Sequence, residues 1–479
     1  MNHLLEYLKN SKVTRKRLDA EIRDERNQVL PQRDAYVLLK KYAKEFFSLG
    51  SHPRMVALSG LRGVGKTTLM WQTANYVYKN HSTQIFFINI NDLNRLNASI
   101  YDVMNALEKD LFHSSLNEIK EKIMLMFDEV HEAQNWQNDL KLLYERGKKI
   151  FVLATGSSAL LLHSNSDLAS RWTLKKIFPF RFPEFILAKS WLKNPKQKIF
   201  LEKDLAEEIS ALLFYSPNFN TAKRIKSKEE QFIEYFEVVE KTLGEKLNQL
   251  LDDYISYHNI ARFLPLSNKT LVMERVLALF EQVLLRDIPN MDINLLNVFN
   301  RILFRLALSD LVNFQTLSKE FRLPETEVEN FIVTLNHAEI LNVFLPHGGV
   351  RTKTGGSQKT FFMSPSLRRA LFSRLYGDKL KIALRAKLYE DIVAMYLKRI
   401  LKEGIVTFGF GKRKNPDFVI ETMDSPVLME IGINKTSSAQ IRTFGNYRYG
   451  IILNAKINRF SIDEKNRILL MPLHWFLLI

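Results

Sequence analysis

The chain has 479 residues, of which 46% are hydrophobic and 25% charged, so it is long enough for two to four domains with buried cores and is not a disordered chain. It contains no cysteine, which excludes disulfide scaffolds, thiolate zinc sites and cysteine nucleophiles. Lysine and arginine (69) outnumber aspartate and glutamate (52), for a formal net charge of +17, and this surplus favours a polyanionic partner without identifying one.

The amino-terminal segment, residues 1–50, is predicted to be helical. Residues 1–10 lack the basic-then-apolar order of a secretory signal, and no window reaches the roughly 18 consecutive apolar residues of a membrane span. We therefore expect a cytoplasmic protein with no membrane partner.

A phosphate-binding loop is predicted between the apolar run MVALSG and the helix-like run TTLMWQTANYVYK. The residues between them fit the pattern G-x-x-x-x-G-K-[ST]. Glycines in such a loop let successive backbone N–H groups turn towards phosphate oxygens, and the following helix adds its positive dipole end. Lys66 is expected on the β- and γ-phosphates, with the Thr67 hydroxyl on Mg²⁺. The predicted nucleotide-binding residues here are Gly60, Gly63, Gly65, Lys66, Thr67 and Thr68.

A second signal is the segment KIMLMFDEVHEAQNW, in which five apolar residues precede Asp128 and Glu129. It reads as a buried parallel strand that delivers two carboxylates at its carboxyl end, where open α/β sheets bind ligands. Asp128 is predicted to hold Mg²⁺, and Glu129 to orient or deprotonate the attacking water.

A third strand is predicted in KKIFVLATGSSALLL. Thr155 or Ser157, at its end, is expected to sense the γ-phosphate or the water by a hydrogen bond. A plain turn is the alternative for either residue. The predicted cofactors are thus ATP and Mg²⁺.

Four segments together resemble a prokaryotic AAA-type ATPase family: SGLRGVGKTTLM, FDEVHEAQNW, ATGSSALLL and LASRWTLKKIFPFRFPEF. The family has a Gly-Arg pair after the GSS turn, and here Ser170 stands before Arg171. The resemblance implies an α/β fold with a parallel-sheet P-loop domain at residues 51–187, followed by a helical lid and divergent insertion at 188–294. It also implies ring or dimer assembly, with Arg171 as an arginine finger in its own site or a neighbour's. A surface ion-pair arginine is the alternative.

Residues 295–375 read as helix, turn, helix and strand followed by a glycine-rich hairpin, the order of a winged helix. The second helix begins with Glu325, Glu327 and Glu329 and carries no lysine or arginine through His337, so phosphates would repel it. A DNA backbone or minor groove would instead meet the wing cations Arg351, Lys353 and Lys359. The alternative is a winged helix that packs on its own ATPase domain.

Residues 376–479 resemble the carboxyl-terminal domain of the same family, whose core resembles PD-(D/E)xK nucleases. Metal-ligating oxygens would come from Glu390, Asp417 and Glu430, with a lysine two residues after Glu430 on the same strand face. That position is Gly432, and Lys435 would have to reach back from beyond the strand. We therefore predict a degenerate nuclease site with little or no cleavage; simple strand-end carboxylates would give the same outcome.

The predicted function is an ATP-hydrolysing switch that acts on or near DNA, with weak sequence preference. One alternative is an ATP-dependent metal nuclease of genome defence. The other is a STAND-like signalling ATPase with a protein partner.

Overall fold

The computed structural model describes residues 2–156, 170–196, 199, 201, 203–287, 293–309, 311–353, 357–377, 382–401, 405–410, 415–422 and 425–479. The chain divides into two compact units, Met1–Phe178 and Pro179–Ile479. None of the described helices has the length and apolar character needed to cross a bilayer. The domain boundaries predicted after residues 50, 187, 294 and 375 stay predictions.

The first unit is an α/β structure. Its helices and strands are α1 (Asn2–Ser11), α2 (Arg15–Glu21), α3 (Asp34–Leu49), β1 (Met55–Ser59), α4 (Lys66–Asn80), β2 (Ile85–Asn89), α5 (Ile90–Arg95), α6 (Ile100–Ala106), β3 (Ile123–Asp128), α7 (Trp136–Arg146), β4 (Ile150–Thr155) and β5 (Thr173–Lys176).

The described strands of this unit form a five-stranded sheet in the order β2-β3-β4-β1-β5, in which every pairing is parallel. Strands β1 and β4 are buried throughout, and β3 is buried up to its last residue. Continuous apolar runs suit strands covered on both faces, and the parallel sheet expected from them is confirmed. Because all strands point the same way, Ser59, Asp128 and Thr155 end at one edge.

The second unit contains the remaining elements. They are α8 (Phe182–Lys193), α9 (Lys203–Phe214), α10 (Phe219–Ala222), α11 (Glu229–Leu243), α12 (Leu247–Asp253), α13 (Lys269–Asp287), α14 (Ile293–Leu308), β6 (Leu311–Asn313), α15 (Phe314–Phe321), α16 (Glu325–His337), β7 (Leu341–Phe344), α17 (Val350–Lys353), β8 (Ser357–Phe362), α18 (Pro365–Tyr376), α19 (Ile382–Ile400), β9 (Val406–Thr407), β10 (Phe418–Ile420), β11 (Val427–Gly432), α20 (Ala439–Phe444), β12 (Tyr449–Asn454), β13 (Ser461–Asp463), β14 (Ile468–Pro472) and α21 (Leu473–Phe476).

The described strands of the second unit form two sheets. A three-stranded antiparallel sheet has the order β6-β8-β7, and a six-stranded mixed sheet has the order β13-β14-β12-β11-β10-β9. In the larger sheet β11, β12 and β14 are parallel. The two sheets meet where the Phe408 N–H donates to Leu345 O over 3.1 Å and the His347 N–H donates to Phe408 O over 2.8 Å.

A fully buried ion pair fixes β8 against α19. Arg368 on α18 and Asp391 on α19 are both 0% exposed, and the guanidinium donates to both carboxylate oxygens over 2.6 and 2.8 Å. Asp391 Oδ1 also accepts a hydrogen bond from the Phe362 N–H of β8 over 2.8 Å. Because both members of the pair have hydrogen-bond partners, the pair fixes the position of Lys359 on β8 relative to Glu390 on α19.

Candidate functional site

The loop between β1 and α4 adopts a conformation that requires glycine. Gly60, Gly63 and Gly65 have φ values of 144°, 87° and 95°. A side chain at Gly60 would put its Cβ 2.2 Å from the carbonyl oxygen of Ile177, so no other residue fits there without moving the backbone. Backbone of this kind forms anion-binding concavities, and α4 begins immediately after it.

The lysine of the loop is held in place by the loop itself. Lys66 is 8% exposed, and its ammonium donates to Gly60 O over 2.8 Å. Arg33, just before α3, braces the same loop, because its guanidinium donates to Val64 O over 2.6 Å and to Phe178 O over 2.9 Å. A phosphate oxygen entering the loop can replace these weak carbonyl partners of the ammonium with a charged one.

Asp128 lies at the carboxyl end of β3 and gathers the polar groups of its neighbours. Its Oδ1 accepts hydrogen bonds from Thr67 Oγ1 over 3.1 Å and from Thr155 Oγ1 over 2.5 Å. Burial raises the pKa of Asp128, and the hydroxyl of Thr155 opposes that shift. A desolvated carboxylate beside a threonine hydroxyl offers the oxygen donors that Mg²⁺ prefers, so these residues fit that ion.

Glu129 is oriented by Thr155 and by two residues that the sequence pattern did not reveal, Arg62 and His131. Its backbone is left-handed, with φ 56°, and its N–H donates to Thr155 Oγ1 over 3.0 Å. Its carboxylate lies 4.0 Å from the guanidinium of Arg62 in the phosphate loop and 3.5 Å from Nδ1 of His131. Burial lowers the pKa of His131, so this ring is neutral at pH 7.

Arg171 is not brought to the phosphate loop of its own unit. Its guanidinium lies 3.4 Å from Glu145 Oε1 and 5.9 Å from the ring centre of Tyr144. The Tyr144 carbonyl accepts a hydrogen bond from Arg54, which immediately precedes β1. Arg171 and its partners Glu145 and Tyr144 therefore lie near the amino-terminal end of the five-residue strand β1. This end is roughly 15 Å along the strand from the phosphate loop.

Two further residues were predicted to bind nucleotide, Thr68 and Ser157. Thr68 lies in the first turn of α4 and is half-buried. Ser157 lies outside the described residues.

In the second unit, the structure brings together the residues predicted for a nuclease-like site, and we call Glu390, Asp417 and Glu430 the carboxylate cluster. Lys359 lies between the first two, with its Nζ 3.4 Å from Glu390 Oε2 and 3.8 Å from Asp417 Oδ1. Asp417 Oδ2 accepts a hydrogen bond from the Ile431 N–H over 2.9 Å, which ties it to β11 beside Glu430.

Glu430 is the most deeply buried member of the cluster, at 0% exposed. Burial raises its pKa to about 8; the charge of Asp417 acts in the same direction, and Lys435 opposes it. Among the described residues, none donates a hydrogen bond to its Oε1. An acceptor in that state costs free energy until a proton or a cation satisfies it.

Lys435 reaches back to Glu430, a possibility that the sequence had left open. Its ammonium pairs with Glu430 Oε2 and also donates to Gln440 Oε1. A Cβ on Gly432 would lie 2.8 Å from Lys435 Cβ. The side chain of Lys435 thus runs through the space that a side chain at residue 432 would need.

Two of the three wing cations that were expected to meet DNA are paired within the unit. Lys353 pairs with Glu421 over 3.2 Å, and Lys359 pairs with the carboxylate cluster. Their strand and short helix pack against the six-stranded sheet, so ion pairs within the unit take up both charges. Arg351 is exposed, as are the glutamates at the start of α16.

Comparisons with known proteins match part of the chain, most of it in the first unit, to a family. Residues 52–186 match the model of the AAA_14 family, an AAA domain. The uncharacterized protein MJ1637 of Methanocaldococcus jannaschii is 26% identical over 427 residues, which cover 85% of this chain and 81% of that protein. The uncharacterized protein MJ1544 of the same organism is 30% identical over 140 residues, 29% of each chain.

The similarity to solved structures is weaker. The Holliday junction branch migration motor RuvB of Thermotoga maritima is 18% identical, with 65% of this chain and 89% of that chain covered and a TM-score of 0.29. The ORC1 protein of Aeropyrum pernix, solved in complex with DNA, is 14% identical, with 73% and 94% covered and a TM-score of 0.32. The fold assignment therefore depends on the family match and the sheet. Together they show that this chain contains an AAA-type P-loop ATPase domain.

Proposed function

We propose that this chain binds ATP with Mg²⁺ and hydrolyses it as a switch that acts on or near DNA. The observation that carries the ATPase proposal is the convergence of Lys66, Thr67, Asp128 and Thr155 at one edge of the parallel sheet. Phosphoryl transfer needs a phosphate-binding loop and a metal-ligating carboxylate. The proposed site adds the Thr155 hydroxyl, which joins the carboxyl ends of β3 and β4.

In the proposed reaction, Lys66 exchanges the Gly60 carbonyl for the β- and γ-phosphates. Thr67 and Asp128 hold Mg²⁺, which neutralises charge on the phosphates when it is bound. Glu129 orients or deprotonates the attacking water. The Thr155 hydroxyl holds the Glu129 N–H and the Asp128 carboxylate at once, so it aligns the metal ligand with the base.

The carboxylate of Glu129 lies beside Arg62 and His131. Phosphate charge in the loop would attract Arg62, since an arginine pairs more strongly with a phosphate close by than with a carboxylate 4.0 Å away. Nucleotide binding would then release Glu129 towards the water.

The ATPase proposal is tested with two variants. Lys66→Ala should abolish nucleotide binding, whereas Glu129→Gln should bind ATP normally and lose on the order of 100-fold or more in turnover. Binding is measured with a fluorescent ATP analogue, and turnover by phosphate release. Glu132→Gln removes a neighbouring carboxylate as the matched control. Equal turnover in the wild type and Glu129→Gln would contradict the assignment.

A role on DNA is supported by the net charge of +17 and by the order of β6, α15, α16, β7 and β8, which suits a winged helix. The exposed acidic start of α16 disfavours base reading, so binding should be electrostatic and fall steeply with salt. Acceleration of ATP turnover by DNA supports this role. Acceleration by a protein alone would favour the signalling alternative.

A second candidate function is metal-dependent cleavage of phosphodiester bonds, and one observation favours it: Lys435 occupies the space beside Gly432 and pairs with Glu430. The carboxylate cluster would hold a divalent ion, and Lys435 would stand beside the attacking water. Single- and double-stranded DNA are incubated with Mg²⁺ or Mn²⁺. Cleavage that Asp417→Ala or Lys435→Ala eliminates, with ATP turnover intact, supports it; absence of cleavage restores the degenerate site predicted from the sequence.

A further inference from the structure

We propose that the ammonium group of Lys359 occupies the cation position of the carboxylate cluster, so that a divalent ion binds there only when this side chain is displaced. This inference rests on the metal site of the second candidate function and adds its regulation. Lys359 would act as a built-in competitor of the metal.

The distances support a lysine in the place of an ion. Lys359 Nζ lies 3.4 Å from Glu390 Oε2 on α19 and 3.8 Å from Asp417 Oδ1 before β10. The side chain is 16% exposed, and its ammonium also lies 4.9 Å from the ring centre of Phe361. It therefore bridges two carboxylates from separate elements inside a partly apolar setting, where its charge is weakly screened.

The carboxylates stand apart around this lysine. Among the described residues, the group of metal-binding side chains with ligand atoms all within 4.8 Å of one another is Glu129, His131 and Glu132, and the carboxylate cluster is not such a group. Divalent ions need oxygen ligands at 2.0 to 2.6 Å. The cluster would have to draw closer around an ion, into the volume that the ammonium now fills.

The charge balance also points to a second cation. Among the described residues, Lys435 pairs with Glu430, and Lys359 lies between Glu390 and Asp417. The fully buried Oε1 of Glu430 still has no hydrogen-bond donor among the described residues. Withdrawal of Lys359 would remove the positive charge between Glu390 and Asp417, and a divalent ion would replace it.

The position of Lys359 links metal binding to the smaller sheet. Lys359 lies on β8, the central strand of that sheet, and the Phe362 N–H of β8 is bonded to Asp391 next to Glu390. Because this bond holds β8 beside α19, the Lys359 side chain itself would have to swing out of the cluster to admit a metal.

The test measures Mn²⁺ binding to the full chain by electron paramagnetic resonance, without nucleotide. It uses an Asp128→Asn, His131→Ala background, which removes a ligand from the proposed magnesium site and one from the Glu129, His131 and Glu132 group of the first unit. Lys359→Met keeps the aliphatic packing on Phe361 and removes the charge. It should bind Mn²⁺ at least about tenfold more tightly than the parent. Lys359→Arg keeps the cation and should bind like the parent. Lys353→Met is the matched control, because that lysine pairs with Glu421 outside the cluster.

Adding Asp417→Asn to Lys359→Met should remove the gain, which assigns the ion to this cluster. Equal or weaker Mn²⁺ binding by Lys359→Met overturns the inference while leaving the metal site standing. Absence of binding in every variant overturns both. Thermal unfolding checks the fold, and Lys359→Gln carries the same expectation where the methionine variant is unstable.

Discussion

The phosphate loop and the carboxylate cluster differ in how they are built. In the first unit, the backbone forms most of the site: glycines at positive φ, the start of α4 and the ends of parallel strands. In the second unit, side chains from β8, α19, the start of β10, β11 and the turn after it converge. The first design is fixed by a short segment of sequence, whereas the second depends on tertiary packing.

The two sites share a carboxylate whose pKa is raised by burial: Asp128, which is half-buried, and Glu430, which is fully buried. Asp128 accepts hydrogen bonds from hydroxyl groups, and Glu430 pairs with a lysine. A divalent ion would offset the cost of the desolvated charge at Asp128.

The largest expected effect breaks the packing on which the second site depends. Asp391→Ala should lower the free energy of unfolding of the second unit by about 3–5 kcal/mol, because it leaves the fully buried charge of Arg368 unpaired. Hydrogen exchange followed by mass spectrometry reports on this unit separately. The apolar pair Arg368→Met with Asp391→Leu should recover much of the loss. A loss under about 1 kcal/mol for Asp391→Ala would show that the pair does not hold β8 to α19.

The next effect targets the backbone of the first site. Gly60→Ala should cost about 3 kcal/mol and abolish ATP binding, because the new Cβ would lie 2.2 Å from the Ile177 carbonyl at a φ of 144°. Denaturant unfolding and titration with an ATP analogue measure the two losses.

Gly432→Ala is the counterpart of this change in the second unit. Its Cβ meets the Lys435 side chain, which can move, so we expect a cost near 1 kcal/mol and a displaced lysine. An equal cost at both glycines would contradict the difference drawn between the two sites.

A smaller effect is expected at the hydroxyl that joins two strand ends. Thr155→Val should lower ATP turnover by about 10- to 100-fold, because it removes a donor from Asp128 and the acceptor of the Glu129 N–H. Loss of the donor also raises the pKa of Asp128 further, so turnover should begin to fall at a higher pH on acidification. Thr155→Ser restores the hydroxyl and should restore both readouts.

A modest effect is expected at a carboxylate that already has its cation. Burial pushes the pKa of Asp253 up, but hydrogen bonds with His258 and Lys189 outweigh this and hold it well below the usual range. A lowered pKa gives stability above the unfolded value, near 3.9, that is lost as pH falls. Asp253→Asn should therefore cost about 1–2 kcal/mol at pH 7, and acid denaturation should show the difference shrinking below pH 4. A difference that does not shrink between pH 4 and pH 2 would exclude the ion pair as its cause.

The two sites also differ in how well the sequence predicts them. The parallel strands and the loop of Gly60 to Thr67 were readable because each is a contiguous pattern. The contact of Glu129 with Arg62 was not, because it requires the left-handed backbone at Glu129. Lys359 was predicted to meet DNA from the wing, since its strand pattern does not reveal that β8 packs beside α19. Arg171 was assigned by resemblance, and its ion pair with Glu145 depends on where α7 ends.

The shared volume of Gly432 and Lys435 has an evolutionary consequence. A long side chain at residue 432 would expel that of Lys435, whose Cβ lies 2.8 Å from where a Cβ on Gly432 would be. Selection for a cation beside Glu430 would therefore act on the two positions jointly. In an alignment of homologous sequences, a lysine at one position should exclude a lysine at the other, and the two columns should covary although each one alone looks variable.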